Sequence, residues 1–306
     1  MPDYIVDTPV ALFIFNRPDT TDRVFHAIAQ VKPSKLLVIA DGPRIARVGE
    51  EEKCEQARSI INQVNWDCEV ITNFSEINLG CKVRVASGID WVFDQVEEAI
   101  ILEDDCLPEP SFFRFCDEML ARYRFNDRVG MVSGSNLQFG RHHGEGSYYF
   151  SRYTHIWGWA TWRRAWQYYD RDIALWPALR DEGWLDQLFE RVAERAYWKN
   201  SFQWVHEGTL DTWDCSWTFT ALTKCLLQIV PNVNLISNIG FGAQATHTHV
   251  VGIHANMATQ AMDFPLVHPN FVLPSAEADR YISNDQIAPS FLKRQIRKLK
   301  RCFLNT

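Results

Sequence analysis

Three adjacent carboxylates, Glu103-Asp104-Asp105, stand where the apolar run AIIL (Ala99 to Leu102) stops. Mutual repulsion destabilises such a cluster unless a cation or hydrogen-bond donors intervene. Along an extended chain alternate side chains point to opposite faces, so Glu103 and Asp105 can converge while Asp104 faces away. One carboxylate together with the diphosphate oxygens of a substrate is the usual way Mg²⁺ or Mn²⁺ is held. The competing reading is a solvated acidic turn capping a helix that begins near Pro110-Ser111. A second pair of acids, Asp211 and Asp214 in DTWDCSW, has a spacing that puts both on one helical face if a helix runs there. Either could also cap a helix.

These residues need elements to hold them. VALFIFN (Val10 to Asn16) reads as a strand buried on both faces. LLVIAD (Leu36 to Asp41), CEVIT (Cys68 to Thr72) and AIILEDD (Ala99 to Asp105) supply three more. Between them lie amphipathic stretches. The first is capped by Asp19 or Thr20 and runs through Val24 and Ile28. The second is rich in Glu at its start and carries Ala57, Ile60, Ile61 and Val64; the third spans Lys82 to Phe93. Strands alternating with helices predict an α/β fold with a mostly parallel, doubly wound (Rossmann-like) central sheet. Ligands of such sheets bind at the carboxyl ends of the strands. Asn16-Arg17, Asp41-Gly42 and the acidic triplet all fall at such ends. The second half is less regular, with many of the 12 tryptophans between Trp157 and Trp217 and strands expected near Gly130 to Ser133, Leu227 to Val230 and Val233 to Ile236.

The bulk composition narrows the class. A chain of 306 residues that is 46% hydrophobic can bury a sizeable core without a disulfide or metal staple. A formal net charge of -7 argues against general nucleic-acid binding, which needs a broadly basic face. The eight cysteines form no C-x-x-C pair and no zinc-finger spacing. The start lacks the pattern of a secretory signal, and no apolar run approaches the roughly 20 residues of a membrane span. The expectation is a cytosolic protein.

The stretch AIILEDDCLPEPSFFRF (Ala99 to Phe115) resembles the acidic signature of GT-A-fold glycosyltransferases. It is particularly similar to the inverting N-acetylglucosaminyltransferase I family and bacterial sugar transferases related to it. The resemblance implies that Asp105 binds the divalent metal, Asp104 faces the ribose and Glu103 faces the donor sugar. PVALFIFNRP resembles the family's first strand and nominates Phe15, Asn16 and Arg17 as nucleotide contacts. ADGP nominates Asp41, with Gly42 after it, for the base; an acceptor-only carboxylate suits uracil or guanine alike. NLGCKVRVASGIDWVF nominates Asn78, Lys82 and Arg84 as donor contacts, with Lys82 and Arg84 equally readable as surface cations.

HIWGWATWRRAW resembles the aromatic-Gly-Trp element on the sugar side and nominates Trp157, Gly158 and Trp159 for sugar binding. Aromatic faces suit the C–H faces of pyranoses, although both tryptophans also suit a core. DTWDCSW resembles the segment carrying the catalytic carboxylate. Asp214 is the first choice for the base and Asp211 the second; the family often has paired acids where this chain has Asp214-Cys215. In NIGFGAQATHTH, His247 fits a late metal ligand by position, with His249 as the other choice.

The resemblance predicts a metal-dependent inverting glycosyltransferase, using Mn²⁺ or Mg²⁺ and a nucleotide-diphosphate sugar donor, with residues 1–128 binding donor and residues 129–285 forming the acceptor and catalytic part of the same unit. The basic, amphipathic segment 286–306 could rest on an anionic membrane or dock on the protein's own acidic surface. A glycan or lipid-linked acceptor in surface polysaccharide synthesis follows. The rivals are a non-catalytic nucleotide-sugar or glycan-binding protein and a sugar-nucleotide pyrophosphorylase. NRPDTTDR lacks the glycine-rich loop the latter needs.

Overall fold

The computed structural model describes residues 4–241 and 253–289. The first four strands, β1 (Val10–Ile14), β2 (Lys35–Ala40), β3 (Glu69–Phe74) and β4 (Glu98–Glu103), are parallel and lie in the order β3-β2-β1-β4. Helices α1 (Pro18–Val31), α2 (Glu50–Ser59) and α3 (Cys81–Gln95) connect them. The chain winds outward to β3 and then crosses back over β1 to β4. The winding therefore reverses between β1 and β4, the switch point where doubly wound sheets open a crevice for ligands.

The alternating pattern of β1 explains its burial. Val10, Leu12 and Ile14 enter the core on one face of the sheet, while Ala11 and Phe13 enter the core on the other. Neither Asp19 nor Thr20 caps α1; the helix begins at Pro18 itself, with Arg17 before it and no side-chain cap. Proline suits that place because the first-turn amide it lacks has no helical partner anyway.

After β4 come β5 (Cys106–Pro108), helix α4 (Ser111–Tyr123), β6 (Val129–Ser133), β7 (Tyr148–Ser151), β8 (Trp159–Trp162), β9 (Leu227–Pro231) and β10 (Ile236–Asn238). The large sheet continues β4-β8-β6-β9-β7, with β6 and β9 parallel and the other three pairings antiparallel. The eight-stranded sheet is thus mixed, flanked by helices, and crosses from the first half of the chain into the second. β5 and β10 form a separate antiparallel ribbon that pairs Cys106 with Asn238. The expected strand at Val233 to Ile236 lies slightly later, because β10 starts at Ile236.

The aromatic region folds as helices: α5 (Arg163–Trp166), α6 (Trp176–Asp181), α7 (Trp184–Leu188), α8 (Val192–His206) and α9 (Asp214–Thr223). It has its own core, in which Trp176, Trp198, Phe202 and Phe219 pack ring against ring. Helix α10 (Ala276–Tyr281) runs into a π-helical turn, Ile282–Ile287, which packs on α8. Among the described residues no helix is long and apolar enough to cross a membrane. His247, His249 and the basic segment beyond Pro289 lie outside the described residues.

Candidate active site

A cavity of about 560 Å³ opens at the carboxyl ends of β1 and β4. Phe15 and Arg17 reach it from the end of β1, and Glu103, Asp104 and Asp105 from the end of β4. Asp41, Asn78 and Arg84 line the β2 side, Asp211 and Asp214 lie across from the triplet, and Trp157 closes one wall. Residues far apart in sequence converge here because parallel strands deliver their ends to one edge.

Strand β4 ends at Glu103, so Asp104 and Asp105 lie in the turn before β5 and do not alternate across a sheet; all three acids line the cavity. Asp104 is buried and accepts hydrogen bonds from the Phe15 amide (3.2 Å) and from Arg17 Nη2. Asp105 accepts from Arg17 Nη1 at 2.8 Å, and among the described residues its other oxygen meets only the Cys106 thiol, at 3.5 Å. Arg17 bridges the two acids. Burial works against its charge, but Asp104 and Asp105 beside it hold the guanidinium firmly protonated. No hydrogen-bond donor among the described residues reaches the Glu103 carboxylate. Burial, then the charges of Asp105 and Asp104, pushes its pKa up to about 8, with Arg17 opposing and Asp214 adding to the rise. Burial also raises Asp104, against the pull of Arg17.

Asp41 has a different job from base recognition in this structure. Its Oδ1 accepts from the amides of Gly42 and Leu79, both at 2.9 Å, and its Oδ2 from Asn78 Nδ2 (3.0 Å) and the Gly80 amide (3.2 Å). A carboxylate offers about four lone-pair sites. All are taken, so Asp41 and Asn78 pin the 77–80 turn against the end of β2. Gly42 is needed at that contact: a Cβ there would sit 2.4 Å from the Ile77 carbonyl carbon. Burial raises the Asp41 pKa, with the backbone donors opposing.

Arg84 is likewise structural. Buried at the cavity floor, it donates to the Ala40 carbonyl (3.1 Å) and to Asn73 Oδ1 (2.8 Å), tying β2 to β3. Lys82 does not line the cavity; its ammonium pairs with Asp172 at 3.1 Å on the far side of α3. Asn16 also turns away, donating to Glu50 at 2.8 Å, and Glu50 in turn holds Arg44 over the Phe15 ring, 5.4 Å from its centroid.

The tryptophans separate. Trp157 lines the cavity, edge-on to Phe241. Trp159 does not: it belongs to β8, is 1% exposed and stacks on Trp213 at 5.6 Å. Strand alternation sends it into the core beneath the sheet. Gly158 packs behind, against Ile236 and Leu102.

The two remaining acids also differ. Helix α9 begins at Asp214, so Asp211 lies before it and the two do not share a helical face. Asp211 instead accepts from the Cys81 and Lys82 amides at 3.3 and 2.9 Å, serving the N-terminus of α3. Asp214 accepts from the Thr212 hydroxyl through Oδ1 only. It faces a second cavity as well, of about 360 Å³, in the aromatic region. The two cavities share Asp214, Thr212 and Ile156.

The donor set suits a hard cation. Two carboxylates of the triplet retain lone pairs facing the cavity, and carboxylate oxygen is the ligand Mg²⁺ and Mn²⁺ prefer. Gly240, brought beside the triplet by the β5–β10 ribbon, leaves the space: a Cβ there would lie 2.1 Å from Asp105 Oδ2. Among the described residues no three His, Cys, Asp or Glu side chains converge to hold a metal by themselves. An ion held there would need further ligands from outside the described residues. The cavity carries six carboxylates against three guanidiniums, so an anionic ligand entering it gains from a cation entering with it.

Sequence reasoning missed Gly240, Asn238 and Phe241 at the triplet, Thr212 beside Asp214, and Arg44 over Phe15. The first three sit in a stretch noted for combining glycines with two histidines, of which only the histidines were nominated. Thr212 carries a weak signal, as a hydroxyl two residues before an acid that starts a helix.

No family model matches the chain, and no curated protein matches it. Two solved structures, both of UDP-glucose pyrophosphorylase, are similar at low level. One, complexed with UDP-glucose, has a TM-score of 0.25 and 10% identity over 47% of this chain, which spans 62% of that protein's length. The other, an apo form, has a TM-score of 0.33 and 8% identity over 72% of this chain and 90% of that one. Likeness at this level carries no argument about activity.

Proposed function

We propose that the protein is a metal-dependent glycosyltransferase of the GT-A type, acting by inversion on a glycan hydroxyl. The observation that carries this reading is the position of Asp214, a carboxylate common to two cavities. One cavity has the acids and the strand ends suited to a nucleotide diphosphate; the other has room for a second substrate. A transferase needs such a shared wall, with a base within reach of the acceptor oxygen.

The chain's own groups then have distinct tasks. Phe15, backed by Arg44, offers a flat face to a nucleobase. Glu103 and Asp105 face the diphosphate side. A bound Mg²⁺ or Mn²⁺ supplies charge neutralisation for the leaving diphosphate. Thr212 fixes one oxygen of Asp214, which leaves the other to take the proton of the acceptor hydroxyl. As that proton moves to Asp214, the acceptor oxygen bonds to the anomeric carbon and the bond from that carbon to the phosphate oxygen breaks. The nucleotide diphosphate leaves from the opposite face, and the anomeric configuration inverts. A glycan under construction, in free or lipid-linked form, is the acceptor this reading implies.

A pyrophosphorylase would need free cations just after β1 to hold a triphosphate. Arg17 is already committed to Asp104 and Asp105, and the turn contains no glycine. A non-catalytic sugar binder is separated by experiment. The protein is incubated with nucleotide sugars, Mn²⁺ and simple glycosides, and products are read by NMR for the configuration of the new linkage. Transfer with inversion, lost in Asp214→Asn while donor binding persists, supports the proposal. Donor binding with no transfer to any acceptor leaves the binder.

A further inference from the structure

We propose that the second cavity binds an uncharged pyranose unit of the acceptor and selects against uronates and phosphorylated sugars. This rests on the reading of Asp214 as the base at the junction. The volume of about 360 Å³ falls in the range of small-molecule sites, about 300–1,000 Å³.

Two features define the chemistry. The first is a set of buried polar atoms with no hydrogen-bond partner among the described residues: His155 Nε2, Trp198 Nε1, and both Gln286 Nε2 and Oε1. All three side chains line this cavity, and His155 and Trp198 are more than nine-tenths buried. Each orphaned group carries an uncompensated desolvation cost, which a ligand rich in donors and acceptors removes. Sugar hydroxyls both donate and accept, matching an amide that offers both. Tyr153, Tyr197 and Trp198 add aromatic surface of the kind that packs on pyranose C–H faces.

The second feature is charge. Among the described residues that line this cavity, Asp214 is the only Asp, Glu, Lys or Arg. Burial holds His155 down to about 4, with His254 adding to that shift, so its imidazole is neutral at ordinary pH. A carboxylate or phosphate on the ligand would be desolvated beside Asp214 with no cation to offset it. This contrasts with the first cavity, whose lining includes three arginines.

The walls are held in place. Glu194, 3% exposed, accepts from Tyr153 Oη at 2.5 Å and from Ser283 Oγ. Arg191 clamps the carbonyls of Ser283 (2.8 Å) and Ala288 (2.9 Å), fixing the π-helical turn that presents Gln286. A preformed wall loses little ordering entropy on binding.

The test uses ligand-observed saturation-transfer NMR on the full chain, with methyl β-glucopyranoside, methyl N-acetyl-β-glucosaminide and methyl β-glucuronide as probes. The two neutral glycosides should show transfer and the glucuronide none. Trp198→Phe, which keeps a ring but removes the indole N–H, and Gln286→Leu should each weaken neutral binding about tenfold. Nucleotide binding in the first cavity serves as the folding control. No transfer from either neutral glycoside, equal transfer from the glucuronide, or wild-type binding in both variants would overturn the proposal. The probes need no donor, so the two readings fail separately. Glycoside binding without donor turnover sinks only the transferase reading, and turnover without glycoside binding sinks only this one.

Discussion

The two cavities that meet at Asp214 are built from different materials. The first collects the ends of parallel strands and is crowded with charge, six carboxylates and three guanidiniums. Most of those charges restrain one another: Arg17 holds Asp104 and Asp105, and Asp41 is saturated by the turn at 77–80. The second sits among helices of the aromatic region and, among the described residues, holds one carboxylate and has polar atoms with no hydrogen-bond partner. A charged ligand with its counterion suits the first, and a neutral, hydroxyl-bearing ligand suits the second. Where carboxylates outnumber guanidiniums, an anionic ligand depends on the cation that enters with it. Where polar groups are orphaned, specificity comes from the hydrogen bonds a ligand completes.

Asp214→Asn is the most severe way to break that comparison, since it removes the group the cavities share. Sugar transfer should fall by about 10²–10⁴-fold, the usual contribution of a general base. Donor affinity, measured by calorimetry, should stay close to the wild type. An Asp211→Asn variant separates the two acids. It should lower stability by about 0.5–2 kcal/mol through the lost contacts at the N-terminus of α3, read by denaturant titration, with transfer reduced far less than in Asp214→Asn.

Trp159→Ala tests the division between core and site. Removing a buried indole from beneath the sheet should cost about 3–5 kcal/mol in denaturant unfolding. The folded fraction should keep the wild-type KM for acceptor. A raised KM with little stability change would return Trp159 to the site.

Glu103 gives a pH signature of the acidic cavity. Its pKa rises from 4.5 to about 8 on folding, so between those values the folded chain binds more protons than the unfolded one. Stability contributed by this group is therefore present at low pH and lost as pH rises through that window. Glu103→Gln should gain stability relative to the wild type as pH increases from about 5 to about 8 in metal-free buffer, seen as a rising difference in Tm. A difference that does not change with pH would show that the folded protein does not perturb Glu103. The mildest change is Lys82→Ala, which breaks a pair with the well-exposed Asp172 and a longer contact with the Val205 carbonyl at 3.4 Å. Stability should move by less than about 1 kcal/mol, and donor affinity should not change.

Much of the first cavity was legible in the sequence. Strands buried on both faces give apolar runs, and a run that ends in Asn-Arg, Asp-Gly or Glu-Asp-Asp announces a carboxyl end. What each residue does there was less legible. Asp41, Arg84 and Lys82 look alike as candidate contacts in sequence, yet one pins a turn, one ties two strands and one faces elsewhere. Those roles depend on which backbone carbonyls and amides lie nearby. HIWGWATWRRAW was read as a binding element with a core role as the alternative; for Trp159 the core holds, because WATW is a strand with both faces buried. The ribbon of β5 and β10 was legible only as a strand near Ile236; its partner was not, because two three-residue strands, one ending in proline, bring Gly240 to Asp105. His155, Trp198 and Gln286 left no pattern, since they meet only through the packing of segments remote in sequence.

The central claim, a metal-dependent donor site at the acidic triplet, is tested most directly by calorimetry. Nucleotide diphosphates and nucleotide sugars would be titrated with and without Mn²⁺ into the wild type and Asp105→Ala. The account predicts that one donor binds only with the metal and that the substitution abolishes that binding. Binding that is indifferent to Mn²⁺ and to Asp105, or no binding of any donor, would contradict it.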